Sequence, residues 1–255
     1  MTKKTKRTLA LGLAAAAGVT LLAGLDARLV VRTYAVESEQ VSTPVRLAVL
    51  TDLHACAYGE GQKNLLDAVA VQCPDLVLLG GDIVDDDPRM PEERALATVE
   101  ALAEVWPVYY VTGNHEWAIG EVPKLKEILA ANGVTVLSNQ YVTLERNGDA
   151  IVLAGIDDPN GYADQKTPEE LAAEVYAAHG DPFWILLAHR NNRFASQYSL
   201  LGEDLMCSGH AHGGIIRLPF TDGLVSHDLD LFPSYTAGLY ADCLLYTSDA
   251  ADEAR

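Results

Sequence analysis

The side chains of this chain best equipped for chemistry are its imidazoles and a few carboxylates, and they fall into short words. These are Asp52-Leu53-His54, Gly81-Asp82, Asn114-His115-Glu116, His189 and His210-Ala211-His212. Imidazole nitrogen, carboxylate oxygen and amide oxygen together suit divalent first-row cations, and no thiolate joins them. Taken singly, each word has an ordinary reading, because Gly-Asp and Gly-Asn make turns and a lone Asp-x-His often ends at the surface. Taken together they do not: five of the seven histidines lie in these words. His179 keeps an ordinary reading as a cation at a helix end. His227 keeps one in an acidic loop beside Asp228 and Asp230.

What unites the words is what precedes them. Each follows a short apolar run rich in β-formers: VRLAVL at 45–50, DLVLLG at 75–80, VYYVTG at 108–113, FWILLA at 183–188 and DLMCSG at 204–209. Such runs read as buried strands, and open α/β sheets place their ligands beyond the carboxyl ends of strands. Asp52 with His54, and His210 with His212, stand two apart, so extended backbone would project each pair to one side. Gly80-Gly81 and Gly113 allow close backbone approach where a Cβ would crowd an ion. Helical patterns separate the strands at Asn64 to Gln72, Pro91 to Val105, Val122 to Ala131 and Pro168 to His179, the last with Thr167 as N-cap. Asn147-Gly148 between YVTLER and AIVLAGI predicts a hairpin, so part of the sheet is antiparallel. The class is layered α/β (α+β) over about 45–242, with no internal repeat.

The ends read differently. Lys3, Lys4, Lys6 and Arg7 precede an uncharged run from Leu9 to Leu25. A basic flank before an apolar stretch predicts a signal anchor, or else a cleaved signal peptide, over residues 1–32. The positive-inside rule then places the body outside the cytoplasm, at a cell membrane. From Cys243 the run CLLYTSDAADE continues no earlier pattern. It resembles one reading frame of a transposon-end sequencing adapter, so 243–255 is set aside as a non-native scar and the native C-terminal strands are expected to be truncated.

With 18 Lys and Arg against 36 Asp and Glu, the formal charge is −18, and it is −23 without residues 1–32. A body so acidic is repelled by a phosphate backbone, which argues against general nucleic-acid binding unless metal ions supply the positive charge. At 255 residues and 49% hydrophobic, the chain is neither disordered nor a disulfide miniprotein. Cys73 and Cys207 sit in apolar runs and read as core, whereas Cys56 lies in a polar loop and could put a thiol near the site.

In their order, Asp52-Leu53-His54, Gly81-Asp82-Ile83-Val84-Asp85, Gly113-Asn114-His115-Glu116, His189 and Gly209-His210-Ala211-His212 resemble the calcineurin-like metallophosphoesterase superfamily. Words such as PDLVLLGGDIVD and SGHAHGG resemble its bacterial membrane-anchored or exported branch. The resemblance implies a four-layer αββα sandwich and a dinuclear metal centre. It implies Asp52, His54, Asp82 and His212 as ligands of one metal, and Asp82, Asn114, His189 and His210 as ligands of the other. It further implies His115 as the residue that protonates or stabilises the leaving oxygen, with Asp85 orienting it. The metals would be Mn²⁺, with Fe, Zn²⁺ or Co²⁺ as alternatives. The expected reaction is hydrolysis of a phosphodiester or pyrophosphate bond by a bridging hydroxide, on a phosphoester small molecule or a lipid-linked substrate at the membrane. A phosphomonoesterase and a catalytically silent scaffold are the alternatives. Arg190-Asn191-Asn192 stands where relatives often have a proline-containing turn, and Ile215 where a polar residue is common; both bear on substrate selection.

Overall fold

The computed structural model describes residues 2–24, 29–146, 148–217, 223–226, 229–241 and 244–247. Four parallel strands, β1 (Leu47–Leu50), β2 (Leu76–Leu79), β3 (Val108–Tyr110) and β4 (Thr135–Val136), form one sheet in that order. A second, mixed sheet holds β5 (Gln140–Arg146), β6 (Asp149–Ile156), β7 (Phe183–Arg190), β8 (Leu205–Gly209), β11 (Gly238–Ala241) and β12 (Leu244–Thr247), ordered β11-β12-β8-β7-β6-β5. A small antiparallel pair, β9 (Ile216–Arg217) and β10 (Gly223–Val225), follows β8.

Alternation along the strands explains the layering. Val77 and Leu79 face outward onto α2 (Lys63–Gln72), α3 (Glu92–Ala103) and α5 (Val122–Ala131), while Leu76 and Leu78 face the second sheet. In the second sheet Ile185, Leu187 and Cys207 turn inward, and Trp184, Leu186 and Met206 turn out toward α6 (Pro168–His179). The central strands β2, β7 and β8 are therefore buried on both faces, which is why they read as continuous apolar runs. The result is a helix–sheet–sheet–helix sandwich, the expected four-layer fold. The β5–β6 hairpin is antiparallel with Arg146 opposite Asp149, and β6, β7 and β8 run parallel. Asn147 of that turn and His227 lie outside the described residues. Of the adapter-like run, Leu244–Thr247 pairs with β8 as β12; 243 and 248–255 are outside the described residues.

The N-terminal expectation is corrected. Residues Lys3–Gly24 form α1, yet among the described residues no helix is long and apolar enough to cross a membrane. Among the described residues the uncharged run contributes only Leu9 to Gly24 to α1, fewer than the roughly 20 apolar residues a bilayer core requires. The membrane anchor, the membrane as partner, the extracytoplasmic placement at a cell membrane and membership of a membrane-anchored branch all lose their support. Cysteine placement also differs: Cys207 is buried, but Cys73, at the end of α2, is exposed, and Cys56 is buried with the first core cluster.

Candidate metal centre

All the predicted site residues lie at or just beyond the carboxyl ends of β1, β2, β3, β7 and β8, and they converge. Asp52, His54, Asp82 and His212 offer ligand atoms within 4.8 Å of one another, and so do Asp82, His189 and His210. Asp82 belongs to both groups. Asn114 joins the second, with its Oδ1 3.2 Å from His189 Nε2.

The backbone that presents these side chains is unusual. Asp52, His54, Asp82, His210 and His212 all have positive φ, between 46° and 70°. Left-handed backbone is costly for residues with a Cβ, and it persists only where the surroundings over-determine it. The extended i, i+2 geometry expected for the two Asp/His-x-His words is therefore not what delivers them. Tight left-handed turns do. Glycines make room for those turns: Gly81 has φ +90°, and a Cβ there would lie 2.5 Å from Gly113 N. A Cβ on Gly113 would lie 2.3 Å from Asp82 Oδ1.

Hydrogen bonds fix the carboxylates and leave selected atoms open. Asp82 Oδ1 accepts from His115 N at 2.8 Å, while buried Oδ2 accepts no hydrogen bond. That Oδ2 faces His189 Nε2 at 3.1 Å and His54 Nε2 at 3.9 Å. Asp52 accepts from His210 N at 3.0 Å and from Thr51 Oγ1 at 2.6 Å, and its Oδ1 is 3.4 Å from His212 Nε2. His189 Nδ1 contacts Gly80 O at 2.9 Å; a carbonyl only accepts, so Nδ1 carries a proton and Nε2 is the edge turned to the centre. His54 Nδ1 lies 3.1 Å from Asp85 Oδ2, and its Nε2 lies 3.3 Å from His212 Nε2.

These spacings test whether cations fit. Nitrogen and oxygen acceptors here face one another at 3.1–3.4 Å. Two ligands each about 2.1 Å from one ion stand about 3.0–3.4 Å apart. Two nearly fully buried carboxylates, Asp52 and Asp82, also need positive charge. The residues fit a dinuclear divalent metal centre. Among themselves they compensate only in part. Burial pushes Asp52 up despite His189 and His212. Burial, the largest single influence, would raise Asp82 as well, but the charge and hydrogen bonding of His189 together with His115 outweigh it and hold Asp82 low. Burial, again the largest single influence, would lower His189, and the charge and hydrogen bonding of Asp82 with the charges of Asp52 and Glu116 together lift it to about 10.

Two expected roles meet a different geometry. Asp85 stands closer to His54 than to His115, whose Nδ1 is 3.7 Å from Asp85 Oδ1 and 3.0 Å from Asp86 Oδ1. His115 itself packs edge-on against His54, ring centroids 4.5 Å apart. Glu116 is a support that the sequence reading quoted without assigning. Its buried carboxylate accepts from Asp82 N and Ile83 N at 2.9 and 2.8 Å, and from Gly113 N at 2.7 Å, tying the two turns together. Burial and then the nearby Asp82 charge push it up to about 7. The available signal was its place three residues after Gly113, the N3 position of α4 (Asn114–Ile119), where a carboxylate reaches back to the helix start. Asp157, Asp158 and Arg190 had no such signal. Asp157 accepts from Thr112 Oγ1 at 2.8 Å and pairs with Lys126; Asp158 pairs with Arg190.

Comparison with known proteins agrees with this geometry. Residues 45–214 match the family model described as calcineurin-like phosphoesterase. The chain belongs to that family, and a metal-dependent phosphoesterase reaction is the chemistry its fold and ligand clusters support. Phosphodiesterase YaeI of Escherichia coli (strain K12) is 31% identical over 185 residues, 70% of this chain and 64% of that protein. The uncharacterized protein YpbG of Bacillus subtilis (strain 168) is 28% identical over 186 residues, 72% of this chain and 68% of its own length. Across the first curated relatives the matched region spans from 50% to 68% of their own length. A phosphopantetheinyl hydrolase from Mycobacterium tuberculosis shares the fold at TM-score 0.50, with 14% identity, covering 84% of this chain and 92% of that one.

Proposed function

We propose that this protein hydrolyses a phosphodiester or pyrophosphate bond of a small-molecule phosphoester, using two divalent cations. The observation that carries the reading is Asp82 Oδ2, a buried carboxylate oxygen without a hydrogen bond, shared by both ligand groups. Asp52, His54, Asp82 and His212 would hold one cation; Asp82, Asn114, His189 and His210 the other. When bound, such ions offset phosphate charge and acidify a water enough to make it a nucleophile near neutral pH. We assign Mn²⁺ as the activating ion, because a mixed imidazole, carboxylate and amide set without sulfur accommodates it.

The chain's own residues do the rest. Asp82 and Asp52 supply negative charge that holds the cations, and Glu116 fixes the backbone of Asp82. His189 and His54 keep their Nδ1 edges on Gly80 O and Asp85, which sets the Nε2 edges toward the centre. His115 is partly exposed, with Asp86 on its Nδ1 edge. It is left free to pass a proton from Nε2 to a departing alkoxide or phosphate oxygen. The name of the Escherichia coli relative, a phosphodiesterase, supports the diester reading over the monoester one.

The test is hydrolysis of bis(p-nitrophenyl) phosphate with Mn²⁺ against p-nitrophenyl phosphate. Faster turnover of the diester, abolished by chelator and by Asp82→Asn, supports the proposal. Preference for the monoester moves the reading to a phosphomonoesterase. Bound metal with no turnover of any ester makes the fold a silent scaffold.

A further inference from the structure

Arg190 ends β7, one residue beyond His189, and its guanidinium is pinned from one side. Nε donates to Asp158 Oδ2 at 2.7 Å and Nη2 reaches Oδ1 at 3.3 Å. Asp158 is buried and held in turn: its N–H donates to Thr112 Oγ1 at 3.1 Å, and its Oδ1 accepts from Asn160 N at 2.9 Å. The fork is thus fastened to the end of β3 and to the loop after β6. On its other side, Nη1 lies 3.3 Å from His210 Nε2.

That last contact cannot persist in a loaded centre. A guanidinium only donates and stays protonated, so His210 must accept through the Nε2 lone pair. Neutral imidazole has one lone pair. If His210 binds a cation through Nε2, the lone pair is spent. If it binds through Nδ1, the proton moves to Nε2 and meets Nη1 donor to donor. In both cases Nη1 is released, while Nε and Nη2 remain on Asp158. A preorganised N–H donor is then left beside the His210-x-His212 word, in a protein whose overall charge repels phosphate.

We propose that Arg190 is a specificity-determining residue that contacts substrate: with cations bound, its Nη1 leaves His210 and donates to a non-bridging phosphoryl oxygen. The proposal deepens the phosphoesterase reading and rests on it. Asp158 offsets much of the guanidinium charge, so the contribution is a directed hydrogen bond, which lysine does not reproduce.

The test is calorimetric titration of Mn²⁺, and then of inorganic phosphate into Mn²⁺-loaded protein, for wild type, Arg190→Gln and Arg190→Lys. It is paired with KM and kcat on bis(p-nitrophenyl) phosphate. Loss of one charge-assisted hydrogen bond corresponds to roughly a ten-fold or greater drop in phosphate affinity. We expect that drop in both variants, with KM rising in step and kcat changing less. Mn²⁺ affinity should be unchanged or tighter, because a competitor for His210 is gone. Phosphate affinity within about two-fold of wild type overturns the proposal, as does a parallel loss of Mn²⁺, which marks a structural role. Failure of the wild type to bind phosphate overturns it too. If phosphate binds as expected but no ester is turned over, the reaction reading fails and the Arg190 contact stands.

Discussion

Asp82 is where the chemistry of the chain is concentrated, because one of its oxygens is committed to His115 N and the other faces imidazoles of both ligand groups. Replacing it with asparagine removes the shared anion at almost constant shape. We expect Asp82→Asn to lose at least one ion per chain and to lower kcat/KM by about 100-fold or more, since a charge central to two sites is lost. Metal analysis beside the diester assay checks both. His115 belongs to a different part of the reaction. His115→Ala should keep the full metal content and lower kcat by about 10²–10⁴-fold, the usual weight of one proton-transfer group. The candidate ligands were legible in the sequence because their types are rare and each ends an apolar run. Arg190, Asp158, Asp157 and Lys126 were not. Their pairings cross about 30 residues of chain, and neither partner carries a periodic or capping signature.

At the scale of elements, strand and helix positions followed from pattern. Val122–Ala131 and Pro168–His179 carry Pro in their first turn, and Thr167 accepts from Glu170 N as an N-cap should. The turns after the strands were not legible, because Asp and His tolerate left-handed backbone better than most residues yet adopt it at few of their positions, so residue type alone does not single out Asp52, Asp82 or His212. That strain is measurable. In metal-free protein, His212→Gly should exceed His212→Ala in stability by about 1 kcal/mol, since only glycine relaxes at φ 52°; thermal unfolding reads the difference, and equal or reversed stabilities would contradict it. The loop before β8 offers a pH test. Glu203 is buried, neither carboxylate oxygen has a hydrogen-bond partner, and burial raises it to about 7. An acid whose folded pKa is raised binds more protons folded than unfolded, so stability falls as pH rises from about 4.5 to about 7 and the cost is complete above that. Glu203→Gln should therefore raise the melting temperature at pH 8, by the equivalent of about 1–3 kcal/mol, and leave it nearly unchanged near pH 4. An equal shift at both pH values would show that the carboxylate is not buried in its charged form.

The whole molecule is a two-sheet sandwich whose strand ends gather negative charge, and the expected cations would offset it. Chelation should lower the melting temperature, and restoring Mn²⁺ should recover it in proportion to the logarithm of free ion. The fold class was readable because the central strands β2, β7 and β8 are buried on both faces. The membrane reading is not upheld, because among the described residues no helix is long and apolar enough to cross a bilayer. Sequencing the 3′ end of the gene from its source tests the adapter reading of residues 243–255: a different native sequence supports it, and the same run rejects it. The most direct measurement is metal stoichiometry with anomalous diffraction at the Mn edge. Two ions per chain flanking the Asp82 carboxylate, falling to one or none in Asp82→Asn, is the expected result. A single ion, or a pair seated away from Asp82 and undisturbed by its substitution, would contradict the dinuclear centre.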